Sequence, residues 1–547
     1  ALLQKTATQG NGLFFTSNSA EELRAVLVSS ITDILEKAQS FTAATVPSTR
    51  TASGGSFYTS FFLPSAKSAF WEGHLRAYRT DAVGDVFGQG GTCAFLDPDP
   101  GECNSGPSNP AALPYWDAGE QIPLPDSRTL YTSQVNAGTP GRVVFDSGLT
   151  AMDTTIAPFA VPPAPAPNVI YPGSGALTEE GLADEVVSYA RGCEFGTGVS
   201  GAGVASDRVC VPRAWRLGDI FHSAPAVVPA PKATLNDASY QAFKSLYALR
   251  KRVIYTGSNA GFLHAFDAGA LDITTSPPNY LDGSGTELFG FMPWEARQNV
   301  RNLPVDDPTT RTYYVDGSPQ VVDVWFPSNP TDTTKSIEEW HTILVGGMRQ
   351  GGRAYYSLDV TNPDDLAYPG YLWEFPKETD PDTIAVPTSV LPYLAQSWSQ
   401  PIITRVRVKV DANDNSGVGY ERWVAIVSGG YDPASDPNDH ASYDPNAIAG
   451  RSLLMIDVAS GELLAMKRFD PSASDAQSAM QYAIPSTPGV LDLDFDGFAD
   501  LVYVGDLGGQ VFKWVINAVG EDRVNDSSAA GDYSQPSWPL KLFFEAP

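Results

Sequence analysis

Four times between residues 223 and 491 the chain repeats a short pattern: a serine, a proline, then aliphatic or β-branched residues. The copies are Ser223-Ala-Pro225-Ala-Val-Val228, Ser318-Pro319-Gln-Val-Val322, Ser399-Gln-Pro401-Ile-Ile-Thr404 and Ser486-Thr-Pro488-Gly-Val-Leu491. A glycine-bearing apolar run follows each one, and after it a second apolar run, which in three of the four ends on aspartate. These are Val253 through Asp267, Ile343 through Asp359, Val424 through Asp457, and Leu501 through Lys513. Short β-branched runs punctuated by glycine and proline read as strands, and proline suits the first residue of an edge strand. The copies recur every 80–95 residues or so, which leaves room for loops inserted into each unit. Repeated four-stranded units with glycine-rich turns favour a mainly β fold, a partial β-propeller, over a sandwich. Trp538-Pro-Leu-Lys-Leu-Phe-Phe544 reads as the start of a fifth blade. An open set of blades leaves edges, so closure is expected from residues beyond these.

Upstream the texture differs. Gly12 to Thr16 reads as a strand, and Ser19 to Ala38 as a helix with Ser19 as N-cap and Glu22 completing a capping box. Leu23, Val26, Leu27, Ile31, Ile34 and Leu35 give that helix one apolar face. One strand and one helix do not make a domain, so residues 1–47 read as the tail of a larger α/β domain. Residues 48–210 read as a β-rich connecting region, with aromatics alternating over Ser56–Phe62, a proline-rich surface linker at 157–167 and a helix at Glu179–Arg191 that places Leu182, Val186 and Ala190 on one face. Residues 211–547 form the repeat region.

The 63 acidic and 35 basic residues give a net charge of −28. That surface repels nucleic acid and anionic lipid. No apolar stretch reaches the ~18 residues of a membrane-spanning helix, so membrane insertion is not expected. The four cysteines fall into two local pairs, Cys93/Cys103 and Cys193/Cys210, without zinc-like spacing. Two disulfides formed in an oxidising compartment are expected.

The chemistry concentrates in Asp492-Leu-Asp494-Phe-Asp496-Gly497-Phe498-Ala-Asp500. Carboxylates crowded this closely repel by roughly a few kcal/mol per pair at intermediate dielectric. A hard cation such as Ca2+ relieves that repulsion, and alternating aspartates before a glycine turn follow the start of an EF-hand loop. Here the loop runs into the strand Leu501–Val504 where an EF-hand runs into a helix. Asp492, Asp494, Asp496 and Asp500 are expected to coordinate through side chains and Phe498 through its backbone carbonyl. The plain alternative is an acidic, solvated hairpin.

Other motifs carry less. Gly196-Thr-Gly198-Val-Ser-Gly201 matches a dinucleotide fingerprint but lacks the strand and helix that the fingerprint needs. Asp411-Ala-Asn-Asp414-Asn-Ser-Gly417 lacks a distal carboxylate and reads as a polar hairpin. The histidines (74, 222, 264, 341 and 440) are scattered, and His264 reads as a packed residue on a strand. No nucleophile, base and oxyanion hole assemble, so no enzyme activity is expected.

The repeat region resembles the C-terminal propeller of the PilY family of type IV pilus proteins. The resemblance rests on Leu217 through Pro225, Val253 through Asp267, Asp316 through Val322 and Pro488 through Asp506. Upstream, Trp116-Asp-Ala-Gly, Arg128-Thr-Leu-Tyr-Thr and Val187 through Gly192 extend it to roughly residues 48–547. It implies that the first 47 residues are the remnant of a von Willebrand A-like domain. It also implies an exported protein at the pilus tip that acts with minor pilins, supports assembly, extension–retraction balance and adhesion to host or abiotic surfaces, and binds calcium at the Asp492–Asp500 loop. No Arg-Gly-Asp motif is present, so the functions tied to that motif do not carry over. The competing reading is a periplasmic quinoprotein (PQQ-type) dehydrogenase, also a calcium-binding propeller. Such enzymes commonly use adjacent cysteines and draw calcium ligands from several blades, and neither feature is evident in this sequence.

Overall fold

The computed structural model describes residues 40–45, 55–65, 68–81, 83–96, 102–103, 108–136, 139–146, 179–195, 210–276, 278–304, 311–376, 390–408, 419–516 and 538–546. The expected strand at 12–16, the helix at 19–38, the proline-rich linker, the Gly196–Gly201 motif and the Asp411–Gly417 hairpin lie outside these residues.

Each serine–proline pattern opens an antiparallel sheet. Blade one comprises Ala226–Val228, Val253–Gly257, Leu263–Asp267 and Glu287–Met292; blade two comprises Gln320–Trp325, Trp340–Gly347, Tyr355–Asp359 and Gly370–Phe375. Blade three comprises Ile402–Val408, Tyr420–Ser428, Ser452–Asp457 and Leu463–Arg468, and blade four Gly489–Leu491, Leu501–Gly505, Gln510–Val515 and Leu540–Glu545. The last strand corrects the sequence reading. Leu540 pairs with Trp514 and Phe544 with Val511, so the stretch after Trp538 completes blade four and does not open a fifth.

The blades stack face to face because successive strand residues point to opposite sides. Val253 and Tyr255 pack toward blade two, where Leu344, Tyr356 and Leu358 meet them. Ile343 and Val345 turn the other way, toward Ala425, Val427 and Leu454 of blade three. Val424 and Ile426 in turn meet Val502, Val504 and Trp514 of blade four. Runs that look uniformly apolar are therefore strands buried on both faces.

The repeated serine fastens one blade to the next. The Ser223 hydroxyl accepts from the Gly257 N–H (2.8 Å) and donates to the Gly317 carbonyl at the entrance to blade two (2.9 Å). Ser399 Oγ accepts from the Ser428 N–H (3.1 Å), and Ser428 Oγ donates to the Ser486 carbonyl (2.8 Å). The aspartates that end the third strands cap their turns: Asp359 accepts from the Thr361 N–H, and Asp457 from those of Ala459 and Ser460.

The upstream region is integrated into this stack. Leu130–Asn136 runs parallel to Glu287–Met292 and Thr139–Val144 pairs beyond it, so blade one's sheet has six strands. The expected helix at Glu179–Arg191 is present, with Val186 and Ala190 buried, as is Val187, in the apolar cluster that takes in blades one and two; the side chain of Leu182 lies outside the described part. A separate sheet contains Ser40–Thr45, Gly55–Leu63, Glu72–Thr80, Val86–Phe87 and Trp116–Asp117. Tyr58, Leu75 and Ala77 of this sheet pack on Ile254 and Phe266, covering the free face of blade one. Disulfides join Cys93 to Cys103 and Cys193 to Cys210.

Candidate metal centre

The Asp492–Asp500 loop connects the first two strands of blade four and folds on its own carboxylates. The Gly497 N–H donates to Asp492 Oδ2 (2.8 Å), the Leu493 N–H to Asp500 Oδ2 (2.7 Å) and the Asp496 N–H to Asp494 Oδ1 (3.2 Å). The Asp500 N–H closes the base on the Leu491 carbonyl (2.9 Å). As a result Asp492, Asp494 and Asp500 each bring one carboxylate oxygen within 4.8 Å of the others, and among the described residues they are the one such group of potential metal ligands. Asp500 is buried, Asp492 half-buried and Asp494 exposed.

Two observations fit a cation. Asp492 Oδ1 is buried and accepts no hydrogen bond, a costly state for a carboxylate oxygen unless a ligand fills it. Burial pushes the Asp500 carboxyl above its ordinary value, and the nearby Asp494, Asp492 and Asp496 charges push it further. Oxygens that share one calcium at about 2.4 Å lie no more than about 4.8 Å apart, and this trio meets that limit.

Asp496 departs from the expected arrangement. Its Oδ2 accepts from Arg407 of blade three at 2.5 Å, and its Oδ1 accepts the Phe498 N–H at 2.9 Å, so it stands outside the three-carboxylate group. Burial is the largest influence and works against ionisation here, but the Arg407 hydrogen bond and charge, the Phe498 N–H and Asp494 together outweigh it and hold the Asp496 carboxyl below its ordinary value. Phe498 also has a role that spacing did not suggest. Its ring is buried, with the Arg407 guanidinium 3.8 Å and that of Arg405 4.9 Å from its centroid. Between them Gly497 has φ +86°, and a Cβ there would fall 1.9 Å from an Arg405 nitrogen. The positive φ calls for glycine, and its missing side chain leaves the Arg405 guanidinium its place. At the tip, Phe495 has φ +60° and is 90% exposed.

Four of the five histidines are held by carboxylates. His74, His222, His264 and His341 each place Nδ1 on a carboxylate: Asp117 (2.7 Å), Asp316 (2.5 Å), Glu287 (2.7 Å) and Asp359 (2.7 Å). His264 is fully buried, as its strand position suggested, with Ser258 at its other nitrogen. A groove of about 510 Å³ runs between Ala226–Val228 and Gln320–Trp325, walled largely by alanine, valine and proline. The aspartate loop does not line it.

A family model described as the PilY1 beta-propeller domain matches residues 217–547. Type IV pilus biogenesis factor PilY1 of Pseudomonas aeruginosa (strain UCBPP-PA14) is 30% identical over 319 residues, 57% of this chain and 21% of that protein. A PilY1 homolog of Xylella fastidiosa is 28% identical over 323 residues, 56% of this chain and 18% of that protein. The chain thus spans about a fifth of the length of these curated relatives. The crystal structure of the Pseudomonas aeruginosa PilY1 C-terminal domain matches 58% of this chain and 51% of its own at 25% identity, with a TM-score of 0.36. Since the family match takes in more than half of its residues, the chain belongs to the PilY1 β-propeller domain family.

Proposed function

We propose that this chain is the calcium-holding propeller region of an exported type IV pilus biogenesis factor. In this reading it catalyses no reaction and works at the pilus tip with minor pilins, supporting assembly, the balance between extension and retraction, and adhesion to host or abiotic surfaces. The observation that carries the reading is the three-carboxylate group around the unpartnered Asp492 oxygen, set in the fourth blade of a chain of this family. Asp492, Asp494 and Asp500 would hold the ion, with the Phe498 carbonyl and Asp496 as further oxygens. Calcium, when bound, supplies the positive charge that offsets their mutual repulsion, roughly 3–4 kcal/mol per pair at an effective dielectric near 20.

The quinoprotein alternative finds less support. All the candidate ligands come from one loop, the groove between the inner strands does not include them, and the cysteines pair across 10 and 17 residues instead of adjacently. The test has two arms. Calorimetric titration with Ca2+ should show binding by the wild type and none by Asp500→Ala, and equal binding would overturn the metal assignment. In a cell that carries the full-length protein, Asp500→Ala should disturb piliation or twitching. Normal pili and motility would remove the proposed link to the pilus.

A further inference from the structure

The calcium loop belongs to blade four, yet blade three also packs against it. The Ala499 N–H donates to the Arg405 carbonyl on the first strand of that blade (2.8 Å). Arg405 and Arg407 stand two residues apart and so leave the strand on the same side. Their guanidinium groups flank the Phe498 ring, and Arg407 also holds Asp496 at 2.5 Å. Arg405 is steadied from its own blade by Glu421 (3.9 Å) and lies 5.5 Å from the Trp423 ring centroid. Gly497, whose missing side chain lets the Arg405 guanidinium approach, sits in the middle of the ligand sequence.

We propose that Arg405 and Arg407 are positioning residues for the ion: they hold the loop in its cation-accepting form and thereby couple calcium occupancy to the seam between blades three and four. This rests on the calcium reading above. Asp496 then serves first as the anchor that the Arg407 hydrogen bond grips. The N–H of Phe498, which donates to the same carboxylate, fixes the turn that delivers Asp500 to Asp492 and Asp494. Coupling of this kind runs both ways. The ion draws the loop closed against the inner strand of blade three, and a strand held in place keeps the loop ready for the ion.

The sign of one measurement separates this arrangement from mere proximity. Arg407 is a cation beside a cation site, so by Coulomb repulsion alone its removal should tighten calcium binding. The latch makes the opposite prediction. With the full chain, calorimetric Ca2+ titration of Arg407→Gln should show affinity reduced by about 5- to 10-fold, toward the low end of ordinary coupling. Arg353→Gln, which removes a half-exposed arginine of blade two with only a loose 3.8 Å contact to Glu295, should bind as the wild type does. Hydrogen exchange gives a second readout. Calcium should slow exchange across Ile402–Val408 in the wild type and leave it unchanged in Arg407→Gln. Arg407 is partly exposed, so the variant is expected to fold, and an unchanged circular dichroism spectrum checks this. Unaltered or tighter binding by Arg407→Gln, or equal calcium protection of that strand in both proteins, would overturn the latch. Failure of the wild type to take up calcium would remove the reading of the loop, and the latch with it.

Discussion

Arg128 lies outside the repeats, yet it ties three segments of the fold together at one buried carboxylate. Its Nε and Nη2 donate to the two oxygens of Glu287, on the last strand of blade one, at 2.7 and 2.8 Å. Its Nη1 donates to the Arg191 carbonyl at the end of the Glu179–Arg191 helix (3.0 Å), and Glu287 also receives His264 Nδ1 (2.7 Å). Both members of the ion pair are buried. Arg128→Met keeps an apolar stem and leaves Glu287 facing burial with His264 alone. Breaking a buried pair from one side costs about 3–5 kcal/mol. A second route gives a similar figure. Burial is the largest influence on Glu287 and opposes its ionisation, but the Arg128 charge and hydrogen bonds, with His264 beside them, together override it and lower the carboxyl from 4.5 to about 2. At ~1.4 kcal/mol per unit that depression is worth about 3 kcal/mol at neutral pH.

The pH dependence makes the argument refutable. In the wild type the folded value lies below the unfolded one, so this stabilisation is present above pH 4.5 and fades as pH falls toward 2. In Arg128→Met burial dominates, and the folded value should rise above the unfolded one. The variant's deficit should then grow as pH rises from about 4.5. Urea unfolding followed by tryptophan fluorescence should show a larger deficit at pH 8 than at pH 5. The double variant Arg128→Met/Glu287→Gln should recover part of it, because the stranded charge is gone. A deficit under about 1 kcal/mol, or one equal at the two pH values, would refute the reasoning.

Further outcomes follow from the same structure. Ser223→Ala removes a buried hydroxyl that serves two backbone groups in different blades and should cost about 1–3 kcal/mol in urea unfolding. Trp514→Ala empties the seam between blades three and four and should cost about 3–5 kcal/mol by the same measurement. Burial, aided by Glu545, raises the Asp506 carboxyl to about 6 against the amides of Gln510 and Gly508. Its ionisation therefore opposes folding as pH climbs from 3.8 through about 6. Asp506→Asn should melt higher than the wild type at pH 7.5, by about 1 kcal/mol after allowance for partial exposure, and should show no advantage at pH 4.

The blades were legible where strands carry their own signal. Trp340–Gly347 and Tyr420–Ser428 are buried over most of their length, and this writes an apolar, β-branched run into the sequence with glycine at its end. Outer strands carry less. Leu540–Glu545 is mostly exposed beyond its first residues, and residues 517–537 separate it from the strand it joins. Nothing local distinguishes a last strand from a first one, and the proline at 539 favoured the wrong choice. The parallel addition of Leu130–Asn136 to Glu287–Met292 was hidden for a related reason. Its partner lies more than 150 residues away, and parallel pairing leaves no turn signature between the two strands.

The same division runs through the candidate site. Spacing alone brought Asp492, Asp494 and Asp500 together, because a nine-residue loop closed by its own N–H groups is local chemistry. Spacing assigned Asp496 to the ion on equal terms, and it does not reveal the second partner this carboxylate has. The competing cation is Arg407, 89 residues earlier on another blade, and spacing gave Phe498 a role only through its backbone carbonyl, with no sign that its ring receives that arginine. A glycine at position 497 satisfies an EF-hand-like turn by its positive φ. Only the stacked blades reveal that the same missing Cβ admits Arg405. A pattern that describes one loop therefore also encodes a contact between two blades. Asp496, Gly497 and Phe498, the three positions after Phe495, each meet Arg405 or Arg407 of blade three, so a substitution in the loop is also a substitution in the seam.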